Sequence, residues 1–197
     1  MTDQFGILLT MNDFITIDFE TGVYSPESAV SVGLVKYRNY EPIGSYYSLI
    51  RPPKLYIRPD FTEIHGLTVD DVIDAPDFGY LWKNEIKGFI GKTMLAAHNA
   101  SFDMKVLKAA LEWYELPVPK LQYFCTLNLS RHAWPNLKSH ALTALAKNFE
   151  IVYSAHNALD DALTCGKLVQ MAAEGFDSEK SIEEFLEYMR VEKKYLV

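Results

Sequence analysis

Residues 14–22, FITIDFETG, combine a strand pattern with two acids, and this combination guides the interpretation of the rest of the chain. The β-branched and aromatic residues are typical of a β-strand directed to a protein core. Side chains alternate between the two faces of a strand, so Asp18 and Glu20 point to the same side. Neighbouring carboxylates repel each other, and we therefore expect a positively charged partner beside them.

Four further strands are predicted downstream. Residues 29–37 and 43–50 are rich in β-branched and aromatic residues and are separated by turn residues, so antiparallel hairpins are expected. Two short apolar stretches, TMLAAH at 93–98 and LQYFCT at 121–126, indicate buried strands separated by helical patterns. Because strands come first and then alternate with helices, the sequence predicts an α/β fold with a five-stranded mixed sheet and helices on both faces.

Length and composition favour one folded domain. The chain has 197 residues, of which 49% are hydrophobic and 13% aromatic, as is ordinary for a domain with one core. We expect a loose N-terminal arm at 1–12, the main domain at 13–175, and a C-terminal helix and tail at 176–197. The sequence has neither an apolar run long enough for a membrane span nor a signal-peptide pattern, so a cytoplasmic location is expected.

The charge of the chain limits how it could contact a nucleic acid. A formal net charge of -7 argues against long contacts to a phosphate backbone and leaves room only for a local site. Divalent cations bound in such a site would supply local positive potential. Cys125 and Cys165 have no C-x-x-C spacing, so neither a zinc site nor a disulfide framework is indicated.

Two later stretches carry acids where a site could form. In HNASFDMKVL, residues 98–107, Asp103 lies in the first turn of a predicted helix, where an acid also complements the helix dipole without any metal. In SAHNALDDALTCGKLV, residues 154–169, His156 precedes a helix that carries two adjacent acids. Both stretches are therefore candidates for the same site as the first strand.

Helical spacing distinguishes the two adjacent acids. Asp161 shares a helix face with Cys165 and Leu168, whereas Asp160 shares a face with Lys167, so Asp161 is expected to point inward. A buried carboxylate is costly unless it meets a cation, a hydrogen-bond network or a proton. The alternative is that Asp161 caps its helix or forms a salt bridge with a neighbour.

Four carboxylates thus occur at strand or helix ends that a compact α/β sheet could bring to one edge: Asp18, Glu20, Asp103 and Asp161. Mutual repulsion would raise their pKa values and oppose this cluster unless divalent ions neutralised it. Oxygen ligands favour a hard cation, so the sequence predicts Mg²⁺ or Mn²⁺ rather than zinc.

Four motifs in order, DFETG, IHGLT, HNASFD and HNALDDA, resemble those of the DEDDh (DnaQ-like) 3′–5′ exonucleases, which include the proofreading subunit of bacterial DNA polymerase III. The resemblance covers roughly residues 14–173. It implies a ribonuclease H-like fold and assigns residues 13–175 to an exonuclease domain. The histidine lies five positions before the last acid, whereas a related subclass has a tyrosine four positions before it.

The resemblance also implies roles for the site residues. Asp18, Glu20 and Asp161 would hold one metal ion, and Asp18 with Asp103 would hold the second. His156 would accept the proton of the attacking water, a task that suits an imidazole near neutral pH. Contacts to a 3′-terminal nucleotide are expected from eight further residues: Thr21, Gly22, Ile64, His65, Gly66, Leu67, Asn99 and Phe102.

The predicted function is a metal-dependent 3′–5′ exonuclease that acts on single-stranded 3′ ends, with DNA favoured, and releases nucleoside 5′-monophosphates. An RNA-directed exonuclease and a non-catalytic nucleic-acid-binding relative stay open as alternatives. A haloacid dehalogenase-type phosphatase is disfavoured. Such a site needs a second Asp two positions after the first and a Thr two positions further on, and DFETG has Glu20 and Gly22 at these positions. A DNA polymerase or replication partner is expected only by analogy with the family, and the oligomeric state is not predicted.

Overall fold

A six-stranded mixed sheet forms the centre of the computed structural model, which describes residues 13–177 and 180–197. Its strands are β1 (Phe14–Thr21), β2 (Ala29–Arg38), β3 (Glu41–Leu49), β4 (Met94–Ala97), β5 (Leu121–Cys125) and β6 (Lys194–Leu196). Their order is β3-β2-β1-β4-β5-β6. β4 is parallel to β1 and β5, and the other pairs are antiparallel. The loose arm predicted at 1–12 lies outside the described residues.

Nine helices, one of them continued by a π-helical turn, surround the sheet within the part of the chain that the structure describes. They are α1 (Pro59–His65), α2 (Val69–Val72), α3 (Phe78–Leu81), α4 (Lys87–Ile90), α5 (Ser101–Trp113), α6 (Thr126–Ala133), α7 (Leu142–Asn148), α8 (Ala158–Ala172) and α9 (Ile182–Tyr188). The π-helical turn, Trp82–Ile86, joins α3 to α4.

The residues of β1 divide between two cores on opposite faces of the sheet. Ile15, Ile17 and Phe19 pack into the core formed with α3 to α5. Phe14 instead belongs to the core formed with α6, α8 and α9. Because the faces alternate along a strand, Asp18 lies on the α8 side of the sheet, as does Glu20.

Two glycines let α8 lie directly against β2. A Cβ atom on Gly33 would come within 2.2 Å of the Ala158 carbonyl oxygen, at the first turn of α8. A Cβ on Gly166 would come within 2.1 Å of the Tyr37 ring. Any side chain at either position would push α8 outward, so these glycines bring the first turn of α8, which carries Asp161, close to the sheet.

The C-terminal segment packs on the same domain. Ile182, Phe185 and Leu186 of α9 are buried in the core that contains Phe14. β6 pairs antiparallel with β5 at the sheet edge. The predicted α/β mixed sheet is confirmed, but the prediction of five strands missed β6, since three residues are too few for a strand period. The division of the chain at residue 175 stays a prediction. Within the described ranges, no helix combines the length and apolar character needed to cross a bilayer.

Candidate active site

A cleft of about 290 Å³ opens where β1 ends beside α8. It is lined by residues of β1, of the first turns of α5, α7 and α8, and of the loops that precede these helices: Asp18, Phe19, Glu20, His98, Phe102, Ala141, Leu142, Thr143, Tyr153, His156 and Asp161. Three of the four predicted carboxylates and the predicted histidine therefore lie in one cleft.

Three side chains of this cleft, those of Glu20, His156 and Asp161, converge on one point. One carboxylate oxygen of each acid and one ring nitrogen of the histidine all lie within 4.8 Å of one another. Asp161 is only 7% exposed, whereas Asp160 is half-buried, as the helical spacing predicted. Such a separation of donor atoms allows one small cation to be held between them.

Asp103 approaches the same strand from the opposite core. It lies in the first turn of α5, is 1% exposed, and accepts a hydrogen bond from the Phe19 backbone N–H at 3.1 Å through Oδ1. This hydrogen bond holds the Asp103 carboxylate against the backbone of β1, at the residue between Asp18 and Glu20. Asp103 does not line the cleft surface, but its charge acts on Asp18 and on Glu20.

All four carboxylates have raised pKa values. Burial is the main cause at each, and repulsion between the acids adds to it. The pKa of Glu20 rises to about 8, and that of Asp161 rises to about 6, where the neighbouring His156 partly opposes the effect of burial. The pKa values of Asp18 and Asp103 are also raised by burial. A cluster that is costly to ionise gains free energy when a cation neutralises it.

The donor set fits hard divalent cations. Carboxylate oxygens are the preferred ligands of Mg²⁺ and Mn²⁺, and neither cysteine is among the three residues whose donor atoms converge. Glu20 and Asp161 could hold one ion together with Asp18. Asp103 could complete a second position with Asp18. The exonucleases that share these motifs use divalent metal ions.

His156 is presented by a tight turn before α8. Its backbone has a φ of 63°, in the left-handed region that residues other than glycine rarely adopt. Asn157 caps α8 by accepting the Leu159 N–H at 3.1 Å, and Asp160 accepts the Ser154 N–H at 3.1 Å. These bonds on both sides of the turn hold the imidazole over the cleft although it is exposed.

A second histidine, His98, lines the cleft and connects the elements around it. Its Nε2 donates to the His140 carbonyl at 2.8 Å, since a carbonyl can only accept. Its Nδ1 then accepts from the Thr126 hydroxyl at 3.0 Å, and burial lowers the His98 pKa to about 4. His98 therefore stays neutral and ties the end of β4 to the loop that carries Ala141.

A neighbouring cavity of about 430 Å³ adjoins the cleft on the α1 side. Apolar and aromatic side chains dominate its lining, which consists of Glu20, Thr21, Val23, Tyr24, Ser25, Pro26, Phe61, Ile64, His65, Phe102, Lys105 and Val106. His65 Nδ1 accepts the Leu67 N–H at 3.0 Å, so its Nε2 donates to the Thr21 carbonyl at 3.2 Å. This pair of bonds fixes the His65 ring beside the end of β1.

The expected nucleotide contacts divide into two groups. Four of the eight residues line the cavity: Thr21, Ile64, His65 and Phe102. The other four line neither the cavity nor the cleft: Gly22, Gly66, Leu67 and Asn99. Gly66, with a φ of 76°, ends α1, and the Gly22 carbonyl accepts the Arg58 N–H. These backbone positions shape the surrounding loops.

The sequence reasoning overlooked several lining residues. Lys105 and Val106 follow Phe102 at helical spacing on α5, and that period could have identified them. Tyr24 and Phe61 come from separate segments, and their rings meet edge to face with centroids 4.9 Å apart. Only folding brings these two residues together, so no local pattern indicates them.

Comparison with known proteins gives one family and several relatives. The family model described as "Exonuclease" matches residues 15–169. A DNA polymerase III PolC-type from Halalkalibacterium halodurans is 33% identical over 168 residues, which is 83% of this chain. The chain spans 11% of the length of that polymerase.

Two solved structures share the fold. Exonuclease X in complex with 5′ overhanging duplex DNA has a TM-score of 0.68 and 24% identity, with 87% of this chain and 99% of that chain covered. The nuclease domain of 3′hExo, a DEDDh family member bound to rAMP, has a TM-score of 0.69 and 19% identity, with 86% and 94% covered. The predicted ribonuclease H-like fold is confirmed.

Proposed function

Since the chain belongs to the exonuclease family, as its four motifs predicted, we propose that it is a metal-dependent 3′–5′ exonuclease. The observation that carries this proposal is the approach of the Glu20, His156 and Asp161 donor atoms to within 4.8 Å of one another. Asp18 and the buried Asp103 add two more carboxylates beside them. Such an acidic cluster suits hydrolysis of a phosphodiester assisted by divalent ions.

The reaction removes the last nucleotide of a strand. The oxygen of a water molecule bonds to the phosphorus of the last linkage, and the bond from that phosphorus to the 3′-oxygen of the preceding nucleotide breaks. That oxygen leaves with the bonding electron pair and takes up a proton. The products are a nucleoside 5′-monophosphate and a strand shortened by one nucleotide.

Each site residue has a role in this reaction. Asp18, Glu20, Asp103 and Asp161 would hold the divalent ions, Mg²⁺ or Mn²⁺. Bound there, such ions would supply positive charge that stabilises the attacking and leaving oxygens. His156 takes the proton that the water loses, since its ring lies beside Glu20 and Asp161 at the exposed edge of the cleft.

The neighbouring cavity would accept the 3′-terminal nucleoside. Phe102 is 44% exposed and lines both the cavity and the cleft, so its ring can contact a base while the adjoining phosphate lies in the cleft. Gly22, Gly66, Leu67 and Asn99 would act through the loops that they shape. The negative net charge supports contacts limited to the last few nucleotides of a single-stranded end.

DNA is the favoured substrate, because the polymerase relative and the exonuclease X complex both involve DNA. The rAMP complex of 3′hExo supports RNA as the second candidate. Association with a DNA polymerase, suggested by the PolC-type relative, stays a prediction.

A nuclease assay tests the proposal. Purified protein is incubated with 5′-labelled DNA and RNA oligomers of matched sequence, single-stranded or with mispaired 3′ ends, with Mg²⁺ or with EDTA. We expect stepwise shortening from the 3′ end only with Mg²⁺, faster on DNA, and none with Asp18→Ala. Failure of the intact protein to shorten any substrate would contradict the enzyme assignment, and faster RNA shortening would reverse the substrate preference.

A further inference from the structure

Within the described part of the chain, the residues that line the cleft include no lysine or arginine. A phosphate in this cleft would face Asp18, Glu20 and Asp161, so divalent ions alone would have to offset this repulsion unless a neutral group donated hydrogen bonds as well. His98 cannot serve, because both of its ring nitrogens already have protein partners. A neutral donor, where the site uses one, would therefore come from another residue of the lining.

Tyr153 is a lining residue with a buried and unused donor. Its hydroxyl oxygen is shielded from solvent and has no hydrogen-bond partner among the described residues. Three other groups share this property, but Arg38, Tyr40 and Tyr46 lie outside the cleft lining. Buried polar groups are almost always hydrogen-bonded, and an exception inside a reactive cleft suggests a ligand partner.

We propose that Tyr153 is a catalytic hydrogen-bond donor whose hydroxyl donates to a non-bridging oxygen of the phosphate under attack. This inference rests on the proposed exonuclease function and adds a residue to the same site. Negative charge grows on those oxygens as water bonds to phosphorus, so a fixed donor stabilises the transition state more than the bound substrate.

The surroundings of Tyr153 suit a donor and not a base. Burial, followed by the charges of Asp161 and Asp18, raises the Tyr153 pKa to about 12, so the hydroxyl keeps its proton at neutral pH. Tyr153 makes no hydrogen bond to either of these acids within the described structure. Thr143 also lines the cleft but is exposed, so water competes for its hydroxyl.

The position of Tyr153 in the chain is also favourable. It lies three residues before His156, in the segment whose Ser154 N–H is held by Asp160. The same segment thus presents the residue that takes the proton from water and the residue that contacts the phosphate. Their relative position is set by one short stretch of backbone and not by two independent elements.

The first test compares Tyr153→Phe with Tyr40→Phe. Both changes remove one buried, unpartnered hydroxyl, but Tyr40 packs against Phe185 far from the cleft lining. We expect Tyr153→Phe to lower kcat roughly 10- to 100-fold with KM changed by less than about threefold, the size of a lost hydrogen bond to a charged group. Tyr40→Phe should retain full kcat. Both variants should melt at or above the midpoint of the intact protein.

A second test locates the acceptor. Substrates carry a phosphorothioate at the last linkage, as each separate diastereomer, and are assayed with Mn²⁺. Because sulfur accepts hydrogen bonds weakly, we expect the loss caused by Tyr153→Phe to shrink at least fivefold on one diastereomer only. An equal loss on both diastereomers would mean that the hydroxyl acts elsewhere, and the proposal would be wrong.

These outcomes separate the two proposals. If the intact protein shortens oligonucleotides and Tyr153→Phe does so at the same rate, the exonuclease function stands and the role of Tyr153 is overturned. If Tyr153→Phe loses activity and also melts well below the intact protein, the hydroxyl is structural and the role is again overturned. If the intact protein is inactive with every substrate and metal, the function itself fails.

Discussion

The cleft and the neighbouring cavity share Glu20 and Phe102 but differ in their chemistry. The cleft carries three carboxylates with raised pKa values. The cavity is lined mainly by apolar and aromatic groups, with Lys105 as its basic residue. Charge that must be neutralised lies on one side of Glu20, and surface suited to a base and sugar lies on the other.

Under the proposed function, the cleft would carry out the reaction and the cavity would bind the terminal nucleoside. Cleft residues would then act on charge that changes during the reaction, so their loss should lower kcat. Cavity residues would contact the nucleoside equally before and during the reaction, so their loss should raise KM and leave kcat nearly unchanged. Substitutions in the cleft and in the cavity test this difference.

The largest effect is expected from Asp161→Asn. Asp161 is buried beside Glu20 and His156, so the change removes a negative charge from the proposed metal site and should reduce kcat roughly 10³-fold or more. Asp160→Asn is the matched control, because an asparagine oxygen can still accept the Ser154 N–H. It should stay within about threefold of the intact protein. Comparable losses in single-turnover assays would show that the two acids do not differ in role.

His156→Ala should have the next largest effect, a loss in kcat of about 10²- to 10³-fold, since water would have no positioned proton acceptor. Mn²⁺ binding, measured by calorimetry, should persist because the carboxylates remain. Added imidazole should restore part of the rate. The exposed His132, outside the cleft, provides the control His132→Ala, which should be fully active. Lost Mn²⁺ binding in His156→Ala would identify the histidine as a metal ligand instead.

Phe102→Ala tests the cavity side. Stacking of a base on an aromatic ring contributes about 1–3 kcal/mol, so KM for a short oligomer should rise about tenfold while kcat changes by less than about threefold. Tyr80→Ala removes an exposed aromatic side chain that lines neither the cleft nor the cavity, and should change neither constant. A fall in kcat without a change in KM would place Phe102 with the cleft residues.

The smallest expected effect is a dependence of stability on pH in the absence of metal. The pKa values of Asp161, about 6, and of Glu20, about 8, exceed those of the unfolded chain, about 4. Between these values the folded protein binds more protons than the unfolded one, so the free energy of unfolding decreases as pH rises. In EDTA the melting midpoint should fall by roughly 10 °C between pH 5 and pH 8.5.

Two additions sharpen this pH experiment. Mn²⁺ should restore the midpoint at pH 8.5, since the bound ion replaces the protons. Glu20→Gln should weaken the dependence above pH 6 without abolishing it, because it removes one of the two acids whose pKa values rise to about 8, the other being Asp103. A midpoint that rises with pH in EDTA would contradict the raised pKa values.

The sequence allowed much of the cleft to be anticipated. The alternation in β1 fixed a common side for Asp18 and Glu20, and the helical period selected Asp161 over Asp160 as the buried acid. Both inferences use local periods that hardly depend on the rest of the fold. The resemblance to DEDDh exonucleases then supplied the ribonuclease H-like fold and the family.

Only the tertiary structure decided which other residues line the cleft and the cavity. Tyr153, His98 and Thr143 meet in the cleft from separate segments, and nothing near them in sequence marks the unpartnered hydroxyl of Tyr153. Of eight expected nucleotide contacts, four line the cavity while the others, such as Gly66, form turns. The local period of a helix or strand determines the direction in which a side chain points. The neighbours of that side chain depend on distances between elements, which are set by the packing of α8 on Gly33 and of α5 on β1.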